Sequence, residues 1–175
     1  MFGLIFGCFC AIMCRYTYIW RMIMIITFCG HRDFLATSVL EARLLTIMEE
    51  LIGDDPAELY LGGYGNFDTF AYHCGCIYRK LHPQVSLVFV TPYITPLHAD
   101  GAAIHDQRQY DEILYPALER VPPKYAISHR NRYMVEHADL VIAYITHSRG
   151  GAYQTYCHAK RKGKVIYNLA DYSID

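Results

Sequence analysis

Short apolar runs alternate with stretches of helical periodicity along most of this sequence. Runs that are apolar throughout are typical of strands buried on both faces of a parallel sheet. Strands that alternate with helices require a parallel sheet joined by right-handed crossovers. The pattern therefore predicts an α/β protein, a three-layer Rossmann-like domain with a parallel sheet of about five strands. The strands are expected at residues 23–29, 58–61, 84–91, 139–145 and 164–169.

The segments between these runs carry the signals of helices. Ser38 with Glu41 forms a capping box for the first helix, and Asn66 is a suitable cap for the second. The helices are expected at about residues 38–51, 67–81, 126–138 and 151–162, with a further short helical segment at 110–119. In the helix at 126–138, the residues expected to face the core are Ile127, Met134 and Ala138.

The composition indicates a single folded domain. The chain has 175 residues, which is long enough to build a hydrophobic core. Of these residues 53% are hydrophobic and 19% are charged, as in a folded protein. Its formal net charge of −1 provides no general basic field, so no nucleic-acid partner is expected. The seven cysteines are scattered between an apolar leader, a strand end and helices. We therefore expect reduced, buried thiols in a cytoplasmic protein.

The first 22 residues differ from the rest of the chain. The uncharged apolar run from Phe2 to Cys14 is short for a membrane span, and its basic residues follow it, unlike those of a signal peptide. The segment is either a membrane-associated leader or translated sequence upstream of a start at Met22 or Met24. A complete buried strand begins at Met24, which favours the second interpretation. The predicted domains are thus a leader at 1–22 and a Rossmann-like domain at 23–175, with no membrane contact expected for the latter.

Three loops are predicted to end at the same edge of the sheet. They follow the first, second and fourth expected strands and supply His31 with Arg32, the glycine-rich stretch at 62–68, and the stretch at 148–152. Glycines that open a helix let backbone N–H groups approach a phosphate, and ligands of such sheets bind outside the carboxyl ends of the strands. The arrangement favours an anionic, planar ligand such as a nucleotide. The sequence lacks both G-x-G-x-x-G and the lysine of a P-loop, which disfavours a dehydrogenase or a P-loop NTPase.

A polar loop between residues 93 and 108 contains side chains of the types that bind metal ions. His98, Asp100, His105 and Asp106 lie in it, but their spacing fits no established ligand frame. We favour a solvated lid as the explanation for these residues. We therefore predict neither a metal nor a cofactor.

Four motifs in register resemble one family. They are Thr27-Phe28-Cys29-Gly30-His31-Arg32-Asp33, Gly62-Gly63-Tyr64-Gly65-Asn66-Phe67-Asp68, Arg130-Asn131-Arg132-Tyr133-Met134-Val135-Glu136, and Gly150-Gly151-Ala152. Together they resemble the YpsA-like branch of the SLOG superfamily over about residues 24–169. The resemblance implies a Rossmannoid domain that binds nucleotides or nucleotide-derived ligands, often without an established reaction.

A related branch of that superfamily suggests an enzyme as the alternative. The LONELY GUY phosphoribohydrolases cleave nucleoside monophosphates, and their glycine motif is followed by a threonine and a catalytic glutamate. In this sequence Asn66 stands at the threonine position and Thr69 at the glutamate position, with Asp68 one residue earlier. This departure disfavours hydrolysis and leaves the catalytic residues unknown.

The predicted ligand-binding residues each have a second explanation. The glycines either admit phosphate or form turns, Arg32 either binds phosphate or forms a surface ion pair, and Asp68 either binds a ribose hydroxyl or caps its helix. Arg130 and Arg132 cannot share a helix face, and Arg130 is the one chosen for the site. Glu136 is expected to pair with one of these arginines. The complete set is Gly30, His31, Arg32, Gly62, Gly63, Tyr64, Gly65, Asn66, Asp68, Arg130, Glu136, Gly150 and Gly151.

Two functions of different classes therefore remain. The first is a binding or sensing module for a nucleotide or nucleotide-derived small molecule. The second is an N-glycosidic hydrolase in which Asp68 or Glu136 stabilises an oxocarbenium-like centre. A homo-oligomer is compatible with either function. The sequence does not identify the ligand.

Overall fold

The computed structural model describes residues 23–93 and 110–171. Strands and helices alternate along the described chain. Their bounds are β1 (Met24–Gly30), α1 (Ser38–Leu51), β2 (Ala57–Leu61), α2 (Asn66–Leu81), β3 (Val85–Val90), β4 (Glu112–Leu114), α3 (Pro123–His137), β5 (Leu140–Tyr144), α4 (Gly150–Arg161), β6 (Val165–Asn168) and a short 3-10 helix (Leu169–Asp171).

The described strands form one parallel sheet in the order β4-β3-β2-β1-β5-β6. From β1 the chain builds outward through β2, β3 and β4, and then returns to the other side of β1 to add β5 and β6. The strand order therefore reverses between β1 and β5. These two strands are paired in parallel, with Thr27 opposite Val141. The predicted α/β, Rossmann-like architecture is confirmed, with six strands where about five were expected.

The additional strand, β4, lies in a segment for which we predicted a helix, and that prediction is wrong. β4 has only three residues, two of them exposed, which is too short for a strand pattern to show in the sequence. Asp111 attaches the segment to β3, because its N–H donates to the Leu87 carbonyl at 2.9 Å and its carboxylate accepts from the Leu87 N–H at 2.8 Å. These bonds continue the sheet and override the local helical tendency.

Helices cover both faces of the sheet. Ile26 and Phe28 of β1 pack with α1 and α2 residues in one buried cluster, whereas Cys29 packs with Val135 of α3 and Ala159 of α4 in another. This alternation follows from the opposite directions of successive side chains in a strand. The carboxyl ends of β1 and β5 lie side by side at one edge of the sheet. The loops that follow them border an open space.

Two helix starts differ from the prediction. Thr37, not Ser38, caps α1: the Thr37 hydroxyl accepts from the Leu40 N–H at 3.2 Å. The cap of α2 is Gly65, with no side-chain cap bond. Asn66 instead uses its amide to donate to the Phe34 carbonyl at 3.2 Å, and so ties the loop after β1 to the start of α2.

The inward face of α3 is partly as predicted. Met134 and Ala138 are buried, as expected, but Ile127 is 36% exposed. Arg130 takes the buried place between them, at 2% exposure. An arginine at a core position is the first sign that this face of α3 borders a site.

Some predictions fall outside the described residues. The leader at 1–22 and the candidate metal ligands His98, Asp100, His105 and Asp106 belong to this group. Within residues 23–93 and 110–171, no helix is both long enough and apolar enough to cross a bilayer. The cysteines of those residues are free thiols, at positions 29, 74, 76 and 157.

Candidate functional site

A cavity of about 380 Å³ opens at the carboxyl edge of the sheet, beside the point where the strand order reverses. This is the position at which open α/β sheets bind ligands, and the volume is that of a small-molecule site. The loops after β1, β2 and β5 all contribute, together with one face of α3. The lining residues are Thr27, Phe28, Cys29, Gly30, Arg32, Asp33, Tyr64, Asp68, Ile127, Arg130, Asn131, Met134, Val135, His147, Gly150, Gly151, Ala152 and Thr155.

Arg130 is a buried cation in the wall of this cavity. Its Nε has no hydrogen-bond partner, and its Nη1 lies 3.5 Å from the Met134 sulfur, a weak acceptor. Its guanidinium carbon lies 5.2 Å from the centre of the Tyr64 ring. Burial lowers the pKa of Arg130, and the charge of Asp68 opposes that shift. Buried charges are normally paired, so a guanidinium with an unused N–H group is suited to bind an anion.

Asp68 lies next to Arg130 in the same wall. Its Oδ2 accepts from the Tyr64 N–H at 2.8 Å, which fixes the glycine loop to the first turn of α2. Burial raises the pKa of Asp68 to about 6, against the lowering effects of that hydrogen bond and of Arg130. A carboxyl group of this kind exchanges its proton near neutral pH.

The glycine loop after β2 packs closely against neighbouring side chains. A side chain at Gly62 would collide with the Arg130 guanidinium and reach 2.8 Å from the Asp68 carboxylate. The N–H groups of Tyr64 and Asn66 are used within the protein, by Asp68 and by the Arg32 carbonyl. The absence of side chains in this loop therefore makes room for Arg130 and Asp68.

The amino end of α4 is open to the cavity. Gly150 has a φ of 85°, a conformation that favours glycine, and a Cβ placed on either Gly150 or Gly151 would meet nothing within 4 Å. The residue before the helix, Arg149, makes no side-chain cap bond. The first N–H groups of a helix have no partner within it, and the helix dipole makes this end positive. The end of α4 is thus suited to an anion.

Hydrogen bonds hold this helix end beside α3. The Asn131 amide donates to the Thr155 hydroxyl at 3.3 Å, and that hydroxyl donates to the Gly151 carbonyl at 2.9 Å. Asn131 follows Arg130 directly in the chain. The bonds therefore connect the helix that carries the buried cation with the helix end that carries unpartnered N–H groups.

Two histidines meet on the other side of the α4 start. The rings of His31 and His147 stack with their centres 3.6 Å apart and an angle of 16° between their planes. The His147 N–H donates to Nε2 of His31 at 3.4 Å. His31 is 5% exposed, and burial is the main cause of the lowering of its pKa, so its neutral form is favoured.

Glu136 lies away from the cavity. It is exposed and pairs with Lys162 at 3.0 Å and with His158 at 3.1 Å, and the bond from Lys162 is the main cause that lowers its pKa. The predicted pairing with an arginine is therefore wrong. Arg132 is exposed.

The structure brings about half of the predicted site residues to the cavity wall. Those that line it are Gly30, Arg32, Tyr64, Asp68, Arg130, Gly150 and Gly151. Those that do not are His31, Gly62, Gly63, Gly65, Asn66 and Glu136. His31 and Gly62 nevertheless contact residues that do, namely His147 and Arg130.

Several lining residues were missed by the sequence analysis. The sequence could have indicated His147. It comes soon after β5, as His31 comes after β1, and adjacent parallel strands end side by side. Asp33 had the same signal from its place after β1. Asn131 stands in one of the four motifs, but its contact with Thr155 depends on how α3 packs against α4, and the sequence gives no indication for Thr155.

Comparison with known proteins identifies the fold. No family model matches the chain. It is similar to the uncharacterized SPbeta prophage-derived protein YoqJ of Bacillus subtilis (strain 168), with 26% identity over 141 residues, or 70% of this chain and 81% of YoqJ. Among solved structures it is similar to DNA processing protein A (DprA) of Streptococcus pneumoniae, with a TM-score of 0.58 and 16% identity. The chain shares a Rossmann-like α/β fold with this structure.

Two further solved structures share this fold. DprA of Helicobacter pylori, described for its single-stranded DNA binding mode, has a TM-score of 0.56 and 20% identity over 82% of this chain. TM1055 has a TM-score of 0.52 and 13% identity over 82% of this chain and 72% of its own. The match to pneumococcal DprA covers 83% of this chain and 50% of the DprA chain. The match to H. pylori DprA covers 63% of the DprA chain. At these identities the similarity concerns the fold alone.

Proposed function

We propose that this protein, as a YpsA-like member of the SLOG superfamily, binds a nucleotide or nucleotide-derived small molecule in the cavity between β1 and β5. The observation that carries the proposal is the pairing, in one cavity wall, of a buried guanidinium with an unused N–H and a helix end with unpartnered N–H groups. Both features favour an anion, and a phosphate group satisfies several such donors at once.

The phosphate is assigned to the open end of α4, on the side of Arg130. Bringing an anion to this wall offsets the cost of keeping Arg130 charged while buried. Asp68 repels phosphate when it is ionised, so it is suited to a neutral part of the ligand. Its Oδ2 is engaged by Tyr64, and a ribose hydroxyl is a fitting donor for the other oxygen. The ligand therefore extends from α4 towards the start of α2.

A matched pair of variants tests this placement. Gly151→Asp puts a carboxylate into open space at the helix end, where it favours the helix dipole but repels a phosphate. Gly151→Asn adds a side chain of the same shape without the charge. We expect Gly151→Asp to lose affinity for AMP, ADP-ribose or another nucleotide that binds the wild type, by at least about tenfold relative to Gly151→Asn.

The measurement is isothermal titration calorimetry against a panel of nucleoside monophosphates, NAD derivatives and inorganic phosphate. Thermal unfolding of both variants checks that they remain folded. If the wild type bound no member of the panel, or if both variants bound it equally, the assignment of the phosphate to this helix end would be wrong.

A hydrolase is the second candidate, and Asp68 is the residue that favours it. Of the two carboxylates considered, only Asp68 lines the cavity, and its pKa of about 6 suits a general acid at neutral pH. Release of a free base from a nucleoside monophosphate, measured by chromatography, supports this function. Loss of that release in Asp68→Asn with retained binding assigns the role. Saturable binding without release supports the binding module alone.

Single-stranded DNA belongs in the same panel. The H. pylori DprA similarity partly conflicts with the expectation that nucleic acid is not a partner. An oligonucleotide that binds with a steep salt dependence indicates backbone neutralisation, whereas a mononucleotide that binds with little salt dependence indicates the cavity. We infer the small molecule as the ligand, because the cationic group of the site is buried in a cavity and not spread over a surface.

A further inference from the structure

Three metal-binding side chains gather at one end of the cavity. One ligand atom each from His31, Asp33 and His147 lie within 4.8 Å of one another. Asp33 and His147 also line the cavity. The proposed nucleotide site uses none of the three, so their grouping calls for its own explanation.

The fold itself brings these residues together from distant parts of the sequence. Gly30 at the end of β1 pairs with Tyr144 at the end of β5, and the His31 N–H extends this pairing by donating to the Tyr144 carbonyl at 3.3 Å. His147 follows three residues after Tyr144. A turn closed by the bond from the Phe34 N–H to the His31 carbonyl, 3.3 Å long, places Asp33 beside them.

The donor set identifies the class of ion. Two imidazoles and one carboxylate are typical ligands of zinc, and a site with three protein ligands leaves a position for water or substrate. Magnesium and calcium prefer sites made of oxygen ligands alone. A tetrahedral zinc site has ligand atoms about 3.3 Å apart, given bonds of about 2.0 to 2.2 Å. His31 is buried and held by its neighbours, whereas Asp33 and His147 are exposed, so the latter two side chains have room to turn towards one ion.

We propose that His31, Asp33 and His147 form a three-ligand site for Zn²⁺ or a similar transition-metal ion in the wall of the cavity. The proposal goes beyond nucleotide binding and does not depend on it. In the absence of the ion, the stacking of the two rings and the bond from the His147 N–H hold the ligands near one another.

Titration of the full-length protein with Co²⁺, after treatment with a chelator and dialysis, tests the proposal. Tetrahedral Co²⁺ has visible absorption bands that report its ligands, and Zn²⁺ displaces it. We expect one equivalent of Co²⁺ to bind to the wild type, and its affinity to fall by at least about tenfold in both His147→Gln and Asp33→Asn. The two changes are at exposed positions, and circular dichroism checks the fold of each variant.

His73→Gln is the matched control. His73 is an exposed histidine 3.6 Å from the carboxylate of Glu41, so it represents an ordinary surface histidine beside an acid. Its replacement should leave Co²⁺ affinity unchanged. Equal affinity in the wild type, His147→Gln and Asp33→Asn would overturn the proposal, as would an intense thiolate-to-cobalt band, which places the ion on cysteine. Because the titration uses the metal ion alone, a failure of nucleotide binding does not affect it.

Discussion

Gly62 is the residue on which the geometry of the cavity wall most directly depends. A methyl group at this position collides with the guanidinium of Arg130, which is buried and has little room to move. We expect Gly62→Ala to lower the free energy of unfolding by about 2 kcal/mol, as overpacking of a core does, and to weaken ligand binding because Arg130 is displaced. Urea denaturation and calorimetry measure the two effects.

Gly151→Ala is the control for Gly62→Ala. A Cβ at Gly151 has nothing within 4 Å, and alanine is the better helix former, so its stability should equal or exceed that of the wild type. Equal stability of the two alanine variants would contradict the tight contact between Gly62 and Arg130.

Asp68 should make stability depend on pH in an unusual direction. Burial raises its pKa from 3.8 to about 6, so the folded state holds its proton more firmly than the unfolded state does. Its contribution to stability is therefore fully present below about pH 3.8 and is lost as the pH rises through about 6. Asparagine, which cannot ionise, removes this loss. At about pH 7.5 we expect Asp68→Asn to be more stable than the wild type by about 2 kcal/mol, a difference that vanishes towards about pH 4.

Glu136→Gln provides a control of opposite sign. Lys162 and His158 lower the pKa of Glu136, so its contribution is present at neutral pH and is lost on acidification. The effect should be small, because the pair is exposed and screened by solvent. Denaturation of the three proteins across this pH range measures both differences. An Asp68→Asn variant that is less stable than the wild type at neutral pH would show that the ionised carboxylate favours the fold.

At the scale of single residues, the sequence predicts the edge of the candidate site better than the residues that line it. Arg130 was chosen over Arg132 because only one of the two can face the sheet, and the structure buries Arg130. The glycine motif is predicted to be a phosphate loop, and in the structure the space at Gly62 is taken by Arg130, a residue 68 positions later. Periodicity locates a helix face but does not show what packs into a distant glycine.

At the scale of elements, the start of α1 gives a direct test of a corrected assignment. The Thr37 hydroxyl accepts from the Leu40 N–H, and the Thr37 carbonyl accepts from the Glu41 N–H at 3.0 Å. Thr37→Ala should therefore lower the free energy of unfolding by about 1 kcal/mol. Ser38→Ala, inside the helix, should change it by about 0.3 kcal/mol at most. Chemical denaturation of both variants measures this. A larger loss for Ser38→Ala would restore the predicted capping box.

The strands show which elements a sequence reveals. β1, β2, β3 and β5 were located because most of their residues are buried, which makes each strand apolar or nearly so. β6 was located from its apolar residues, although Val165 is exposed. β4 was missed because it is an edge strand of three residues, two of them exposed, and side-chain burial does not mark it. Its attachment depends on bonds between Asp111 and Leu87, a contact across 24 positions of sequence.

At the scale of the whole molecule, the position of the site follows from topology and its shape does not. The order in which strands and helices alternate is enough to place a crevice where the strand order reverses. The volume of that crevice depends on side chains such as Arg130 and Ile127, which α3 presents from outside the sheet. This is why the edge was predicted and about half of the predicted residues lie elsewhere.

The proposed division of the chain at residue 23 leads to the last prediction. The buried clusters that join the sheet to its helices run from Ile26 to Leu169, all within the proposed 23–175 domain. We expect deletion of residues 1–22 to leave one cooperative unfolding transition and to change Tm by less than about 3 °C, since about 1 kcal/mol corresponds to 2–4 °C at this size. Deletion of residues 1–30 removes β1, the strand between β2 and β5, and should abolish that transition. Calorimetry of the full chain and the two deletion variants measures these transitions. A loss of cooperativity on deletion of residues 1–22 would mean that this segment packs against the domain and contributes to its stability.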